Sequence, residues 1–200
     1  MEKNIRSPVL GPRRSRGMQS KGFTIWLTGL PGAGKTTLAQ LLGEEFRAID
    51  HPVEILDGDE IRQRFTNDLG FTREDRDENI RRIAVVAKQL TRIGSIVIVA
   101  AISPYARARR DARMKIGNFV EVFVQCPLEI CIQRDPKGLY AKAKRGEVVQ
   151  LTGLSDPYEE PTTPDVIVHT NQETPRQSLV KIFQYLSTKN FVHAPQELRG

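Results

Sequence analysis

The chain has few of the residues that mark a disulfide-rich or membrane protein. Its 200 residues include two cysteines, Cys126 and Cys131, and their spacing matches no common metal-binding motif. We therefore expect two free thiols in a reducing compartment, which favours a cytoplasmic location. The longest apolar run, 96–102, is too short to cross a bilayer, and the first twenty residues lack the apolar stretch of a signal peptide. We expect a soluble protein without a membrane partner.

Negative charge is also in short supply, since 24 acidic residues face 30 lysines and arginines and the net charge is +6. Residues 1–21 hold six basic residues and one acidic residue, or +5, which leaves the rest of the chain near +1. This leader is rich in proline, glycine, serine and arginine and has no helical or strand period, so we predict that it is disordered. A targeting or nucleic-acid-binding arm is the alternative. Because the remainder is almost neutral, we expect no nucleic-acid partner.

Strand and helix patterns alternate along the rest of the chain. The clearest helix is predicted at 73–93, where Thr72 is a suitable N-cap, apolar residues share one face and Gly94 is a stop signal. Further helices are predicted from 35 to about 46 and from 174–175 onward. Short apolar runs predict strands at 23–28, 53–56, 95–102, 119–124 and 166–169.

This alternation is typical of a three-layer α/β domain with a mainly parallel sheet and helices on both faces. We place the domain at 22–190 and a C-terminal tail at 191–200. Within the domain, the segment 134–165 is charged, contains glycine and proline, and has no strong period. We predict a mobile lid there, because lids are drawn from segments of low local stability.

The stretch GLPGAGKTT, from Gly29 to Thr37, matches the pattern G-x-x-x-x-G-K-[ST] of a phosphate-binding loop. A strand before it and a helix after it are the context that this motif requires. Its backbone N–H groups would cradle the phosphates of ATP, Lys35 would add a positive charge, and the Thr36 hydroxyl would help to hold Mg²⁺. The residues predicted to bind ATP are Gly29, Leu30, Pro31, Gly32, Ala33, Gly34, Lys35, Thr36 and Thr37.

Two acidic residues follow the second strand, in LDGDEIR (56–62). In this architecture ligands bind at the carboxyl ends of the strands, so Asp57 and Asp59 should lie beside the phosphates. One carboxylate would orient the shell of Mg²⁺ and the other would accept the proton of an attacking hydroxyl, and either residue fits either role. A plain Asp-Gly turn is the structural alternative.

An arginine-rich stretch opens the helix predicted at 73–93. Arg76 and Asn79 are three residues apart and share a face near the start of this helix. Such a pair would clamp an anionic substrate that also forms hydrogen bonds. A solvated charged face is the alternative.

Together, these segments resemble the adenylylsulfate kinase (APS kinase) family of P-loop kinases. The resemblance rests on GLPGAGKTT, DGDEIR, LGFTREDRDENIRRI, ISPYARARRDAR, RDPKGLYAKAKRGE and LTGLSDPYEEP, which occur in the family's order between about 29 and 161. RDPKGLY and YEEP are far more specific than the loop. The resemblance implies transfer of the γ-phosphate of ATP to the 3′-hydroxyl of adenosine 5′-phosphosulfate, with Mg²⁺, in sulfate activation. It also implies a homodimer and a sulfate adenylyltransferase as a working partner.

The resemblance, with the loop and the acidic pair, gives a set of expected site residues. Phe71 would stack on the adenine of adenylylsulfate, while Lys137 and Leu139 would close over it from the lid. The expected catalytic residues are Lys35, Asp57, Asp59 and Ser103, and the expected metal ligands are Thr36 and Asp57. The residues expected to contact adenylylsulfate are Arg62, Phe71, Arg76, Asn79, Ile102, Ser103, Lys137, Leu139 and Leu151.

Three positions carry open alternatives or departures from the family pattern. Pro31 stands in the loop where the family usually has serine, outside the phosphate-cradling glycines. Leu151 stands where the family usually has phenylalanine, so a leucine replaces one aromatic wall of the adenine stack. Ser103 is either a phosphorylated intermediate, as the resemblance allows, or a Ser-Pro turn at a strand end, since direct in-line transfer needs no covalent step.

Two other functions are compatible with the loop alone. One is a different P-loop kinase for a small molecule such as gluconate or shikimate, which RDPKGLY and YEEP fit no better. The other is a nucleotide-binding module that has lost catalysis. The retention of Lys35, Thr36, Asp57 and Asp59 argues against such a loss.

Overall fold

Five parallel strands form the sheet that organises the molecule. In a computed structural model that describes residues 21–192, the strands are β1 (Phe23–Thr28), β2 (Val53–Asp57), β3 (Ile96–Ala100), β4 (Phe119–Gln125) and β5 (Val166–His169). Their order across the sheet is β2-β3-β1-β4-β5, and every neighbouring pair is parallel. All five predicted strands are confirmed, although β3 is shorter than the predicted 95–102.

The central strands are buried along their length, as their unbroken apolar sequences predict. Every residue of β1 and β3 is buried, and so is all of β4 except its last residue. Parallel sheets are covered by helices on both faces, so such strands have no polar side. Trp26 of β1 pairs with Val99 of β3 on one side and with Glu121 of β4 on the other. The strand that leads into the glycine-rich loop is therefore at the centre of the sheet.

Helices cover both faces of this sheet. They are α1 (Lys35–Ala48), α2 (Gly58–Arg64), α3 (Arg73–Arg92), α4 (Ala106–Ile116), α5 (Leu128–Arg134), α6 (Leu139–Lys144) and α7 (Pro175–Thr188). On one face, α1 and α7 contribute Leu38, Leu42 and Ile182 to an apolar cluster. On the other face, α3 and α4 pack around Trp26 and Ile83. The predicted three-layer α/β architecture is thus confirmed.

Two of the three helices that the sequence predicts, α3 and α7, begin with a complete capping box. At the start of α3, the Thr72 hydroxyl accepts a hydrogen bond from the backbone N–H of Asp75 at 3.2 Å, and the Asp75 carboxylate accepts one from the N–H of Thr72 at 3.4 Å. Thr174 and Gln177 form the same reciprocal cap on α7, with Pro175 at its first turn. Each capping box spans only four consecutive residues, so it can be recognised in the sequence.

The helices α2, α4, α5 and α6 lie outside the predicted elements. The longest of them, α4, has Tyr105 at its N-cap position, and this residue makes no side-chain cap. The Glu159 carboxylate instead accepts a hydrogen bond from the backbone N–H of Ala106 at 2.8 Å. Similarly, Asp135 accepts hydrogen bonds from the first turn of α6. The start of α4 is therefore capped by a residue far along the chain, and the residues around 106 carry no capping signal of their own.

Residues 156–159, which we call the anchor segment, lie across the end of the sheet. The Tyr158 hydroxyl is 3.0 Å from the Thr28 hydroxyl, and its ring stacks on Phe123 with centroids 6.1 Å apart. The backbone N–H of Glu159 donates to the Pro104 carbonyl at 2.8 Å. The anchor segment thus ties the C-terminal end of the predicted lid to β1, β4 and the chain after β3.

The rest of the predicted lid (134–165) has more packed structure than its composition indicates. Within α6, Tyr140 is 1% exposed and donates a hydrogen bond to the Pro31 carbonyl at 3.0 Å. Leu151 is 5% exposed and belongs to the cluster around α1 and α7. Residues 144–150 are almost all exposed. A mobile lid stays a prediction, and its exposed portion is this short stretch.

The packed domain extends slightly past its predicted end at residue 190. The ring of Phe191 lies 5.0 Å from that of Phe23, and Val192 is 8% exposed. The predicted leader, apart from Lys21, and the predicted tail beyond Val192 lie outside the described residues. Among the helices that the structure describes, none has the length and apolar character needed to span a membrane.

Glu159→Ala should lower the free energy of unfolding by about 1 kcal/mol, because loss of an N-cap acceptor costs about that much. The other contact of this carboxylate, with Arg73 at 3.4 Å, is exposed and contributes little. Urea unfolding followed by circular dichroism measures the change. Glu160→Ala, at the neighbouring exposed carboxylate, is the matched control and should alter stability by less than about 0.5 kcal/mol. Equal losses in the two variants would show that Glu159 does not cap α4.

Candidate functional site

The glycine-rich loop connects the end of β1 to the first turn of α1. Gly29 lies so close to β4 that a Cβ atom there would be 2.4 Å from the Val124 carbonyl oxygen. Gly32, with φ 76°, has a left-handed backbone that favours glycine. Because α1 begins at Lys35, its free N-terminal N–H groups lie at the loop, an arrangement that binds phosphate. The predicted loop conformation is therefore present.

The Lys35 side chain lies inside this loop. Its ammonium donates hydrogen bonds to the carbonyl oxygens of Gly29 at 3.0 Å and Leu30 at 2.8 Å. Burial lowers the pKa of Lys35 to about 8, and the negative charge of Asp59 partly counteracts this. A phosphate beside the amine would favour its charged form. The lysine is thus a buried cation that an anionic ligand would stabilise.

Thr36 and Asp57 meet beside the loop. The Thr36 hydroxyl donates to one carboxylate oxygen of Asp57 at 2.8 Å. The other oxygen accepts a hydrogen bond from the backbone N–H of Asp59 at 3.0 Å and caps α2. Asp57 therefore caps α2 with one carboxylate oxygen and places the other beside the Thr36 hydroxyl. A hydroxyl and a carboxylate are ligands that Mg²⁺ accepts, with waters and phosphate oxygens completing its shell.

Asp59 forms an ion pair with Lys137 of the predicted lid. Burial is the largest single effect on the pKa of Lys137 and lowers it, but the hydrogen bond to Asp59 and the negative charges of Asp59 and Asp57 together raise the pKa overall. The charges of Asp59 and Lys137 also act on the Lys35 amine. The structure thus brings together the loop lysine, one acid of the DGD motif and the lid lysine.

Phe71 and Arg62 form an open surface next to this group. Phe71 is 54% exposed, and the Arg62 guanidinium carbon lies 4.5 Å from its ring centroid. Arg62 also donates hydrogen bonds to the carbonyl oxygens of Leu69 and Gly70, at 3.2 and 2.7 Å. An exposed aromatic ring is a suitable stacking partner for a planar base. Arg62 supplies positive charge beside it.

Arg76 and Asn79 are each 8% exposed, so a solvated charged face does not describe them. The Asn79 side-chain oxygen accepts a hydrogen bond from the buried Thr66 hydroxyl at 2.7 Å. Arg76 donates to the backbone and side chains of residues 150–156. The two residues share a face of α3 as predicted, and both are held by partners within the protein.

Ser103 lies in a buried hydrogen-bonded network at the ends of β1 and β3. Its hydroxyl accepts from the indole N–H of Trp26 at 3.0 Å and donates to the Thr28 hydroxyl at 2.9 Å. The Thr28 hydroxyl in turn donates to the Ile102 carbonyl at 2.8 Å. Ser103 is 1% exposed and has φ 42°, so the chain makes a sharp turn there.

Leu139 and Leu151 pack towards the apolar cluster of α1 and α7. A Cβ atom at Gly153 would be 2.7 Å from the Leu30 side chain, so the turn after Leu151 packs directly on the glycine-rich loop. Ile102 follows β3 and is partly exposed. The expected contacts of Ile102, Leu139 and Leu151 with adenylylsulfate stay predictions.

Several residues of this region were not among the expected site residues. Thr28 and Tyr158 join the loop to the anchor segment, and burial raises the pKa of Tyr158 well above its usual value, so its hydroxyl remains a neutral donor. Thr170 donates to the Ala33 carbonyl of the loop at 2.8 Å, and Arg134 donates to the Thr170 carbonyl at 2.6 Å. These contacts join segments far apart in sequence, and only Arg134, in RDPKGLY, and Tyr158, in YEEP, belong to a motif that the sequence singles out.

Lys35→Met should make the chain more stable than the unaltered protein at neutral pH, and this advantage should shrink as the pH rises from about 8 to 10.5. Within that range the unfolded lysine keeps a proton that the folded lysine has lost. The free energy of unfolding of the unaltered chain therefore increases with rising pH, whereas the methionine variant lacks this pH-dependent increase. Urea unfolding of both chains across the range measures the difference. A stability difference that does not change with pH would contradict the burial of the amine, and Lys88→Met on α3 is the control.

Known proteins resemble this chain along most of its length. Residues 21–169 match the model of the adenylylsulphate kinase family. The adenylyl-sulfate kinase of Halothermothrix orenii is 51% identical over 178 residues, which are 89% of this chain and 96% of that protein. The probable adenylyl-sulfate kinase of Synechocystis is 52% identical over 175 residues, 88% of this chain and 99% of that protein.

Solved structures agree with these sequence matches. The APS kinase of Mycobacterium tuberculosis, in complex with AMPPNP and APS, superposes with a TM-score of 0.80 and 39% identity, covering 84% of this chain and 98% of that one. A gluconokinase from Sinorhizobium meliloti, with a TM-score of 0.58 and 18% identity, shares the fold alone. Because the family model spans more than half of the sequence and relatives near 50% identity cover most of it, the chain belongs to the adenylylsulfate kinase family.

Proposed function

We propose that this protein is an ATP-dependent kinase that phosphorylates the 3′-hydroxyl of adenosine 5′-phosphosulfate, giving 3′-phosphoadenylylsulfate and ADP in sulfate activation. One observation carries the proposal. The chain matches an APS kinase whose structure was solved in complex with AMPPNP and APS, and the match covers 84% of this chain and 98% of that one. The relatives named adenylyl-sulfate kinase support the same reaction.

On the ATP side, the phosphates would lie on the glycine-rich loop and the N-terminus of α1. Phosphoryl transfer depends mainly on positioning and on neutralising charge. The carbonyl oxygens of Gly29 and Leu30 hold the Lys35 ammonium within the loop, so its charge is in place before the nucleotide arrives. Because this cation is buried, its interaction with the phosphates is screened less than it would be in water.

On the acceptor side, adenylylsulfate would lie between Phe71, Arg62 and the lid. Phe71 offers a face to the adenine, and Arg62 offers charge to the phosphosulfate. Asp59 would accept the proton of the attacking 3′-hydroxyl. Asp57 is engaged with Thr36 and caps α2, which favours the proton-accepting role for Asp59 over Asp57. The Asp59–Lys137 ion pair would hold the lid over the acceptor hydroxyl.

Thr36 and Asp57 would hold the Mg²⁺ that this reaction requires. Their hydroxyl and carboxylate oxygens are 2.8 Å apart, and both are hard ligands that the ion prefers. When bound, the ion neutralises charge on the β- and γ-phosphates. The hydrogen bond between the two side chains fixes their orientation beside the loop in advance.

We further propose a cytoplasmic homodimer that works with a sulfate adenylyltransferase. The dimer and the partner rest on the family resemblance. The cysteines support a reducing compartment, because Cys126 and Cys131 are both free and buried. Burial raises the pKa of Cys131 to about 12, which makes it an unreactive thiol.

ADP release measured with and without adenylylsulfate tests the proposed reaction. We expect release that depends on adenylylsulfate, and a loss of kcat of about a hundredfold or more in Lys35→Ala, the effect typical of removing a group that stabilises transition-state charge. Lys88→Ala is the matched control and should keep full activity. Release stimulated by gluconate or shikimate instead would identify another kinase. Near-normal turnover by a folded Lys35→Ala chain would contradict the site.

For Ser103 we propose direct transfer without a phosphoserine, since its hydroxyl is buried and bonded to Trp26 and Thr28. A single displacement inverts the configuration at the transferred phosphorus, whereas two displacements retain it. With ATP chiral at the γ-phosphate, we expect inversion. Ser103→Ala should keep substantial turnover but lose about 1–3 kcal/mol of unfolding free energy, because the buried Trp26 N–H loses its acceptor. Retention of configuration would establish the phosphoserine.

A further inference from the structure

The Arg76 guanidinium is almost fully occupied by the protein itself. A guanidinium has five N–H groups, one on Nε and two on each Nη. In Arg76, Nε donates to the Phe71 carbonyl at 2.8 Å and Nη1 donates to the Thr152 hydroxyl at 2.6 Å. Nη2 donates to the Gln150 carbonyl at 3.0 Å and to the Asp156 carboxylate at 2.7 Å. One N–H group remains for a substrate.

Asp156 neutralises the charge of this arginine. The Arg76 side chain is 9% exposed and that of Asp156 is 21% exposed, so the ion pair is largely shielded from water. A buried guanidinium without a counter-charge would be costly. The turn that holds Asp156 is itself fixed, because its carbonyl accepts from the N–H of Gly153 at 2.8 Å and its N–H donates to the Leu151 carbonyl at 3.2 Å. Asp156 is therefore a fixed anion that holds the guanidinium in place.

Arg76 also contacts the loop that forms the candidate surface for adenylylsulfate. Its Nε–H holds the carbonyl of Phe71, the exposed ring of the candidate adenine site. The preceding residues, Leu69 and Gly70, are held by Arg62. Among the described residues, no carboxylate lies within ion-pair distance of Arg62, whereas Arg76 has Asp156. The positive charge open to an anionic substrate therefore belongs to Arg62.

We propose that Asp156 is a positioning residue for the acceptor substrate, acting through Arg76 to fix the backbone of the loop that carries Phe71. This inference rests on the proposed function, because it assigns Phe71 and Arg62 to adenylylsulfate. Arg76 then acts as a buried connector between α3 and residues 150–156, and its contribution to binding is to hold Phe71 in place. We expect the effect on the acceptor side, since the Arg76 side chain itself bonds to Phe71 and residues 150–156 and makes no hydrogen bond to the glycine-rich loop.

Steady-state kinetics of Asp156→Asn test the proposal. The change keeps the shape of the side chain and removes its charge. We expect KM for adenylylsulfate to rise on the order of tenfold, a size consistent with weakening a hydrogen bond between charged groups, while KM for ATP and kcat stay within about twofold. Asp165→Asn is the matched control, because Asp165 forms an ion pair with Arg113 at 2.6 Å, has a side chain that is 20% exposed and lies just before β5, outside the loop that carries Phe71; it should leave both KM values unchanged.

Thr152→Val provides a second variant that leaves the ion pair intact. It removes the acceptor of Nη1 and should produce a smaller rise in KM for adenylylsulfate, again without an effect on ATP. The chain has a single tryptophan, Trp26, which is fully buried, so its emission reports whether each variant is folded.

The outcomes separate this inference from the proposed function. If the unaltered chain phosphorylates adenylylsulfate and folded Asp156→Asn has an unchanged KM for it, the positioning role alone is overturned. Equal rises in the two KM values, in either variant, would also overturn it, because a general loss of structure affects both substrates. If the unaltered chain has no activity that depends on adenylylsulfate, the proposed function is overturned and this inference with it.

Discussion

The parallel alignment of the strands is the constraint on which the site depends. In the sheet register, Ala100 of β3 pairs with Leu27 of β1 and with Asp57 of β2. The residues that follow these three positions, namely the glycine-rich loop, Asp59 and Ser103, therefore emerge at the same height on one edge. The register of the sheet sets this arrangement independently of the side-chain contacts within the site. Ligands of open α/β sheets bind at this edge for the same reason.

The sequence predicts those features that depend on neighbouring residues. All five strands, the capping box of α3 and the glycine-rich loop follow from patterns shorter than about ten residues, and the parallel architecture follows from their alternation. The cap of α4 joins Glu159 to a residue 53 positions earlier, and the Asp59–Lys137 ion pair spans 78 positions. Contacts over such separations leave no periodic pattern in the sequence. Burial of Leu151 is a similar case, because the composition of the predicted lid indicates exposure. The two acids, Thr36, Lys137 and Arg76 were all identified as candidates, whereas the contacts that they make required the fold.

A second buried guanidinium, that of Arg109, stabilises the same edge of the sheet. Arg109 is 3% exposed and donates hydrogen bonds to the Glu121 carboxylate, the Ser103 carbonyl and the Glu159 carbonyl. Buried ion pairs compensate the cost of desolvation only when their remaining hydrogen bonds are also satisfied. Here they join α4, β4, the turn at Ser103 and the anchor segment. An apolar side chain of similar size would fill the space but would not hold the two carbonyl groups.

The predicted lid is attached to the domain on both sides of its exposed stretch, through contacts such as that of Tyr140 with Pro31 before it and those of residues 150–159 after it. Between them, residues 144–150 are almost all exposed and include few buried contacts. The entropy of closing a loop grows only with the logarithm of its length, so added residues in such a stretch cost little when both ends are fixed. The length of the chain is therefore free to vary at 145–149, and a peptide or a spectroscopic label inserted there would leave the attachments on both sides in position.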